Sequence, residues 1–398
     1  MNMTKKAIIY ADNAATTKLD IDAFEAMKPY LLDEYGNASQ PYTFAKKSKQ
    51  ALKEARAIIA KCINAEPEEI YFTSGGTESD NWAIKGVAFA NTEKRQTVTS
   101  TIEHHAVLRS CKAIEKLGYP VTYLPVNSDG VVAPETLDSV ITSATSLVSI
   151  MLANNEIGTI EPIKDLCGIA HKHGALFHTD AVQAVGHIRI DVKELGIDML
   201  SASAHKFNGP KGIGFLYIKR GTPIASCVSG GMQESSLRAG TENVASIVAM
   251  AVALKKNCDF INENAQYLKS LENKLIQQLV ESNIDFIRNG HENHIPGNIS
   301  LSFKNIEGEA LLHRLDLMGI YISTGAACDN VTTQISHVIK SIGVDSKYAP
   351  GTIRISFGKN NDFSDVYHIA KSLSMILSPN TSGAKGVDTK NVKNCRYV

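Results

Sequence analysis

From about Pro67 to Arg220, short runs of β-branched and aromatic residues alternate with stretches whose apolar positions recur every three or four residues. The runs Ile70–Thr73, Thr97–Thr101, Val121–Val126, Leu147–Leu152, Ala175–His178, Met199–Ser203 and Gly214–Ile218 predict strands. Between them, Thr77–Phe89, His105–Leu117 and Ile163–His173 predict helices, with Gly118 and Gly174 placed where glycines end helices. Strand–helix alternation of this kind belongs to a mainly parallel α/β sheet. After about Ala245 the pattern changes to a long helical stretch reaching roughly Glu281, then strand-like Ile299–Phe303, a helix over Glu307–Met318 and strand-like Thr352–Phe357. The expectation is a large α/β domain over residues 17–250 and a smaller α+β domain over 251–379, with residues 1–16 packed on the latter. Residues 380–398 are polar and glycine-containing and predict a flexible tail.

Composition narrows the function without naming it. Lysine plus arginine equals aspartate plus glutamate, 41 each in 398 residues, so no bulk charge draws the chain to nucleic acid or to a membrane surface. No apolar run approaches the roughly 18 residues that span a bilayer, and Met1–Tyr10 lacks the apolar core of a secretory signal. The seven cysteines are scattered, odd in number and free of any C-x-x-C pair. Neither a disulfide framework nor a structural metal site is expected, and a reducing cytoplasm is.

Three segments carry chemistry. In Phe72-Thr73-Ser74-Gly75-Gly76-Thr77-Glu78-Ser79-Asp80 a strand ends, two glycines permit a tight turn, and Thr77-x-x-Asp80 reads as a capping box opening a helix. Such a turn is either an anion site, suited to phosphate, or a plain connection. Asp180 follows the apolar Ala175–His178 run, where a carboxylate needs a cation, a donor or water. A pyridinium nitrogen would suit it, and a solvated helix cap is the alternative. Lys206 stands just past a strand end in Ser203-Ala204-His205-Lys206, placed to form a Schiff base unless it is an ordinary surface lysine.

Together these segments resemble the layout of fold-type-I pyridoxal-phosphate enzymes, and within them the group I cysteine desulfurases. The matching stretches are Tyr10–Thr17, Thr73–Asn81, Glu103-His104, Asn154–Gly158, His178–Gln183, His205-Lys206, Gly209–Gly214 and Arg238–Asn243, followed by Arg354, and they cover about nine-tenths of the chain. The resemblance implies a fold-type-I transferase with a large mainly parallel α/β domain and a smaller α+β C-terminal domain. It implies that Lys206 bonds the cofactor pyridoxal 5'-phosphate, that Asp180 pairs with its ring nitrogen, and that His104 stacks on its ring and moves protons. Gln183 and Asn155 would contact the ring substituents, while Gly76, Thr77, Ser203 and His205 hold the phosphate. Thr241 would reach a phosphate in the other subunit of a homodimer. Asn13, Asn155 and Arg354 would bind the substrate, Arg354 through its carboxylate.

The same resemblance selects the chemistry. Ser323-Thr324-Gly325-Ala326-Ala327-Cys328 is small and glycine-containing, as a mobile loop requires, and Cys328 becomes the nucleophile that takes sulfur from L-cysteine as a persulfide, leaving alanine. A sulfur-acceptor protein is then expected, for iron–sulfur clusters, tRNA thiolation or DNA sulfur modification. The chain departs from the family at Asp329-Asn330, where Thr or Ser commonly follows the cysteine, at Ala38 and Tyr42 in place of proline and histidine, and at Ser235-Ser236. A carboxylate at 329 should reduce the thiolate fraction of its neighbour. Its polar tail also lacks the apolar end with which housekeeping members dock a cluster scaffold. A selenocysteine lyase or other lyase using the same cofactor, an aminotransferase and a catalytically silent sulfur-transfer scaffold are the alternatives.

Overall fold

Seven strands form the central sheet, in the order Ile70–Thr73, Gly214–Ile218, Met199–Ser203, Leu176–Asp180, Thr145–Ser149, Gln96–Ser100 and Val121–Leu124. The computed structural model describes residues 8–91, 93–324 and 335–378. Four consecutive pairings, from Met199–Ser203 to Val121–Leu124, are parallel. Gly214–Ile218 runs antiparallel to both of its neighbours, a reversal that hydrophobic period alone does not encode. Thr145–Ser149, Met199–Ser203 and Gly214–Ile218 are buried at every position, because helices cover both faces of the sheet. The helices Gly76–Ala90, His105–Glu115 and Ile163–Lys172 fall on the predicted stretches within a few residues.

The expected single helical stretch after Ala245 is two helices, Val244–Asp259 and Ile261–Glu281, with Phe260 between them at φ −121° and ψ 23°. The first helix puts Ala253 and Leu254 into the core of the large sheet, and the second puts Leu271, Leu275 and Leu279 into a separate core. The chain therefore passes from one core to the other around Phe260, about ten residues beyond position 250. The second core lies under a four-stranded antiparallel sheet in the order Ser323–Thr324, Thr352–Ser356, Asn298–Phe303 and Phe286–Asn289. Ile9–Tyr10 pairs in parallel with Ile320–Tyr321, so the N-terminal strand packs with this smaller unit. From there residues 11–17 cross to the large unit, where the Thr17 N–H donates to His205 O at 2.9 Å. Among the described residues no helix is long and apolar enough to cross a membrane. The expected tail, 380–398, lies outside the described residues.

Candidate active site

The carboxyl ends of Ile70–Thr73, Leu176–Asp180 and Met199–Ser203 open on the same edge of the sheet, where open α/β sheets bind ligands. A cavity of about 630 Å³ lies there. Its walls bring together Gly76, Thr77, His104, Asn155, Asp180, Gln183, Ser203, His205, Lys206 and Arg354.

One end is built for an anion. Gly75 turns the chain at φ 150°, a region that favours glycine, and caps the Gly76–Ala90 helix without any side-chain hydrogen bond. The capping box expected of Thr77 and Asp80 is not formed. The helix cap is Gly75, two residues before Thr77, and Asp80 lies in the interior, 1% exposed. Glu78 instead accepts from the Ser74 N–H at 2.9 Å and pairs with Arg238 at 2.8 Å. The first-turn N–H groups thus keep no capping side chain, and a helix N-terminus in that state attracts phosphate. A Cβ at Gly76 would stand 2.5 Å from Val182 Cγ2, so the close approach of helix and wall requires glycine. Ser203 and His205 border the same space, and burial, then the neighbouring Lys206, brings His205 down to about 4. At neutral pH it offers hydrogen bonds rather than charge.

The floor is acidic and dry. Asp180 is 5% exposed and accepts from the Val182 N–H at 2.9 Å. Burial raises its pKa, an effect that His104 and Lys206 oppose. Asp80, His104 and Asp180 each bring one side-chain N or O atom within 4.8 Å of the others. His104 caps the His105–Glu115 helix by accepting from Ala106 N–H on Nδ1 at 3.1 Å. Burial lowers its pKa, so the ring is neutral with its hydrogen on Nε2. Lys206 follows the Met199–Ser203 strand in a 3₁₀ turn, and its amine donates to the carbonyls of Ala14 and Ala15. Gln183 donates to Ala14 O at 2.8 Å, so both side chains rest on the crossing segment.

The remaining expected residues separate. Arg354 lies on the cavity wall, 6% exposed, but its guanidinium already pairs with Asp12 at 2.8 Å. Asn13 does not reach the wall: its amide donates to Ser356 O at 2.9 Å, and it borders a different, smaller hollow. Thr241 is exposed and also outside the cavity. Cys328 and Asp329 lie outside the described residues, whereas Thr324 before them and Ser336 after them are both on the wall. Sequence reasoning missed Asp12, the partner of Arg354, and Asp80, His105, Glu156 and His337, which line the cavity.

The donor set fits pyridoxal phosphate. The uncapped helix start suits its phosphate, the buried Asp180 carboxyl gains a cationic partner in the ring nitrogen, and Lys206 offers an amine. The aminotransferase class-V model matches residues 9–369. The cysteine desulfurase IscS of Dictyoglomus turgidum is 47% identical over 374 residues, covering 94% of this chain and 95% of its own. A solved NifS-like protein superposes with a TM-score of 0.88 at 39% identity, over 94% of this chain and all of that one, 100%. The structure titled SspA in complex with cysteine gives a TM-score of 0.78 at 36% identity, over 88% of this chain and 98% of that one.

Proposed function

This chain belongs to the aminotransferase class-V family, and we propose that it is a pyridoxal-phosphate-dependent cysteine desulfurase converting L-cysteine to L-alanine. The observation that carries the reading is the meeting of Lys206, Asp180 and an uncapped helix start in one cavity, in a chain whose near relatives bear that name.

When bound, the cofactor supplies an electron-withdrawing ring. The protein's own groups do the rest. Asp180 as a carboxylate keeps the ring nitrogen protonated. Lys206 Nζ would take and return the substrate's α-proton, and neutral His104 would serve as a second proton carrier. Arg354 orients the substrate through its carboxylate. Cys328, in the segment between Thr324 and Ser336, would attack the substrate sulfur as a thiolate: an S–S bond forms as the substrate Cβ–S bond breaks, leaving a persulfide, and Cβ keeps the bond's electron pair and takes a proton to become the methyl of alanine. Thr241, exposed and away from its own cavity, suits a phosphate contact in the partner of a homodimer. The Cys328 thiol needs a reducing compartment such as the cytoplasm to stay available for attack, and the persulfide needs a sulfur-acceptor protein, serving clusters, tRNA thiolation or DNA sulfur modification.

The test is sulfide and alanine production from L-cysteine with a thiol reductant, for wild type, Cys328→Ala and Lys206→Ala. Equal amounts of both products from wild type and neither from the variants are expected. Full cysteine activity in Cys328→Ala would replace the persulfide step by direct lyase chemistry. Exchange of the amino group with a keto acid would indicate an aminotransferase.

A further inference from the structure

Arg354 does not wait in the cavity as an open cation. It rises from the Thr352–Ser356 strand with one terminal nitrogen donating to Asn155 O at 2.9 Å and the other to Asp12 Oδ1 at 2.8 Å. Its Nε is buried without a partner among the described residues. Asp12 comes from the crossing segment, held against the same strand where the Ser356 N–H donates to Ala11 O at 2.8 Å. Arg354 lines the cavity and Asp12 does not. An arginine side chain buried to this degree without an anion would be costly, so Asp12 is the counter-ion of the resting site.

We propose that Asp12 is a positioning residue that limits how tightly the Arg354 subsite holds any α-carboxylate, so that alanine can leave. The inference rests on the desulfurase reading, which gives Arg354 the substrate carboxylate. An arriving carboxylate must share the guanidinium with an anion already in place, and the two anions repel each other across it. The empty site, for its part, is not destabilised, because Asp12 already neutralises it. Both effects weaken carboxylate binding. Cysteine and alanine present the same α-carboxylate, so a subsite that gripped one would retain the other. Asp12 and Asn155 O also fix two of the guanidinium nitrogens, which aims the fork while the Nε edge stays unpaired.

The experiment titrates L-alanine, and ethylamine as the same amine without its carboxylate, into cofactor-loaded protein while following the cofactor's absorption. Asp12→Asn removes the charge and keeps an oxygen to accept from Arg354. It should bind alanine about tenfold more tightly, an effect typical of one adjacent charge, with ethylamine unchanged. Unchanged or weaker alanine binding in Asp12→Asn overturns the proposal. Asp12→Ser carries the same comparison should the first variant not fold. Arg354→Leu should lose the preference for alanine over ethylamine. If it keeps that preference, the carboxylate assignment of Arg354 falls, and Asp12's role with it. A wild-type chain that takes up no cofactor would sink the desulfurase reading itself, a result distinct from both.

Discussion

Asp80 is buried on the cavity floor, and among the described residues one of its carboxyl oxygens has no hydrogen-bond partner. Burial, reinforced by the charge of Asp180, pushes its pKa well above the usual carboxylate range, and the Ser201 hydroxyl faces it. Ser201 bonds in turn to His178 Nε2 at 2.9 Å, and His178 Nδ1 to Ser149 at 2.8 Å. Burial takes His178 down to about 3, so this histidine carries no charge at neutral pH. Asp180 alone gains an ionic partner when a cationic ring faces it. Asp80→Asn, a neutral isostere, should therefore shift the melting temperature by only about 2–4 °C and leave turnover near wild type. Asp180→Asn should lower kcat/KM about 100-fold, roughly 2.7 kcal/mol of transition-state stabilisation. Equal losses in the two variants would mean that both carboxyls are charged. The sequence carried a signal for Asp80 that the capping-box reading overrode: Asp80, Ala83, Ile84 and Val87 share one helical stripe, and all four are buried. No comparable signal existed for Asp12, whose bond to Arg354 spans 342 positions.

The Gly76–Ala90 helix shows how much an element's first residue decides. Strand ends and glycine turns were legible because their residue types act locally, and the structure brings the Gly75-Gly76 turn, Asp180 and Lys206 to one cavity, although local signals alone left each of them a plainer reading. Strand direction was not, since Gly214–Ile218 reads as a fully buried strand while running against both neighbours. Nor was the break at Phe260, where the chain switches between cores although the residues on both sides are helical. The cradle itself yields a test. In Gly76→Ala the new methyl would meet Val182 Cγ2 at 2.5 Å, so the helix start must retreat from the wall. Overpacking of this kind costs about 1–3 kcal/mol and should appear as weaker cofactor uptake in a fluorescence titration. Val182→Ala removes the obstructing methyl, and the double variant should recover most of the affinity. Without recovery, the glycine matters for its backbone and not for the space beside it.

At the scale of the whole molecule, two cores must hold a fixed distance across the cavity, because Lys206 and Asp180 belong to one and Arg354 to the other. Asp20 sits where the crossing segment meets both. It caps the Ile21–Leu32 helix through the Asp22 N–H at 2.9 Å, and accepts from Lys256 at 3.1 Å and Lys359 at 2.7 Å. Lys256 lies on the Val244–Asp259 helix and Lys359 follows the Thr352–Ser356 strand, so one carboxylate ties the two units. Burial alone would raise the Asp20 pKa, but the two lysines win and hold it at about 2. An aspartate lowered in the folded state stabilises fully above its unfolded value of about 3.9, and that stability disappears as pH falls from there through about 2. Asn caps helices as well as Asp does, so Asp20→Asn isolates the ionic share. At pH 7 it should cost about 1–2 kcal/mol, the partly exposed lysines being screened by salt. Glu272, held at about 2 mainly by His294 and Arg288 against the cost of burial, titrates over the same range in both proteins and cancels in the comparison. Urea melts of wild type and variant should therefore converge between about pH 4 and pH 2. A gap that persists at pH 2 would show that Asp20 acts through shape or capping, and that the seam between the cores is held by the backbone of the crossing segment instead.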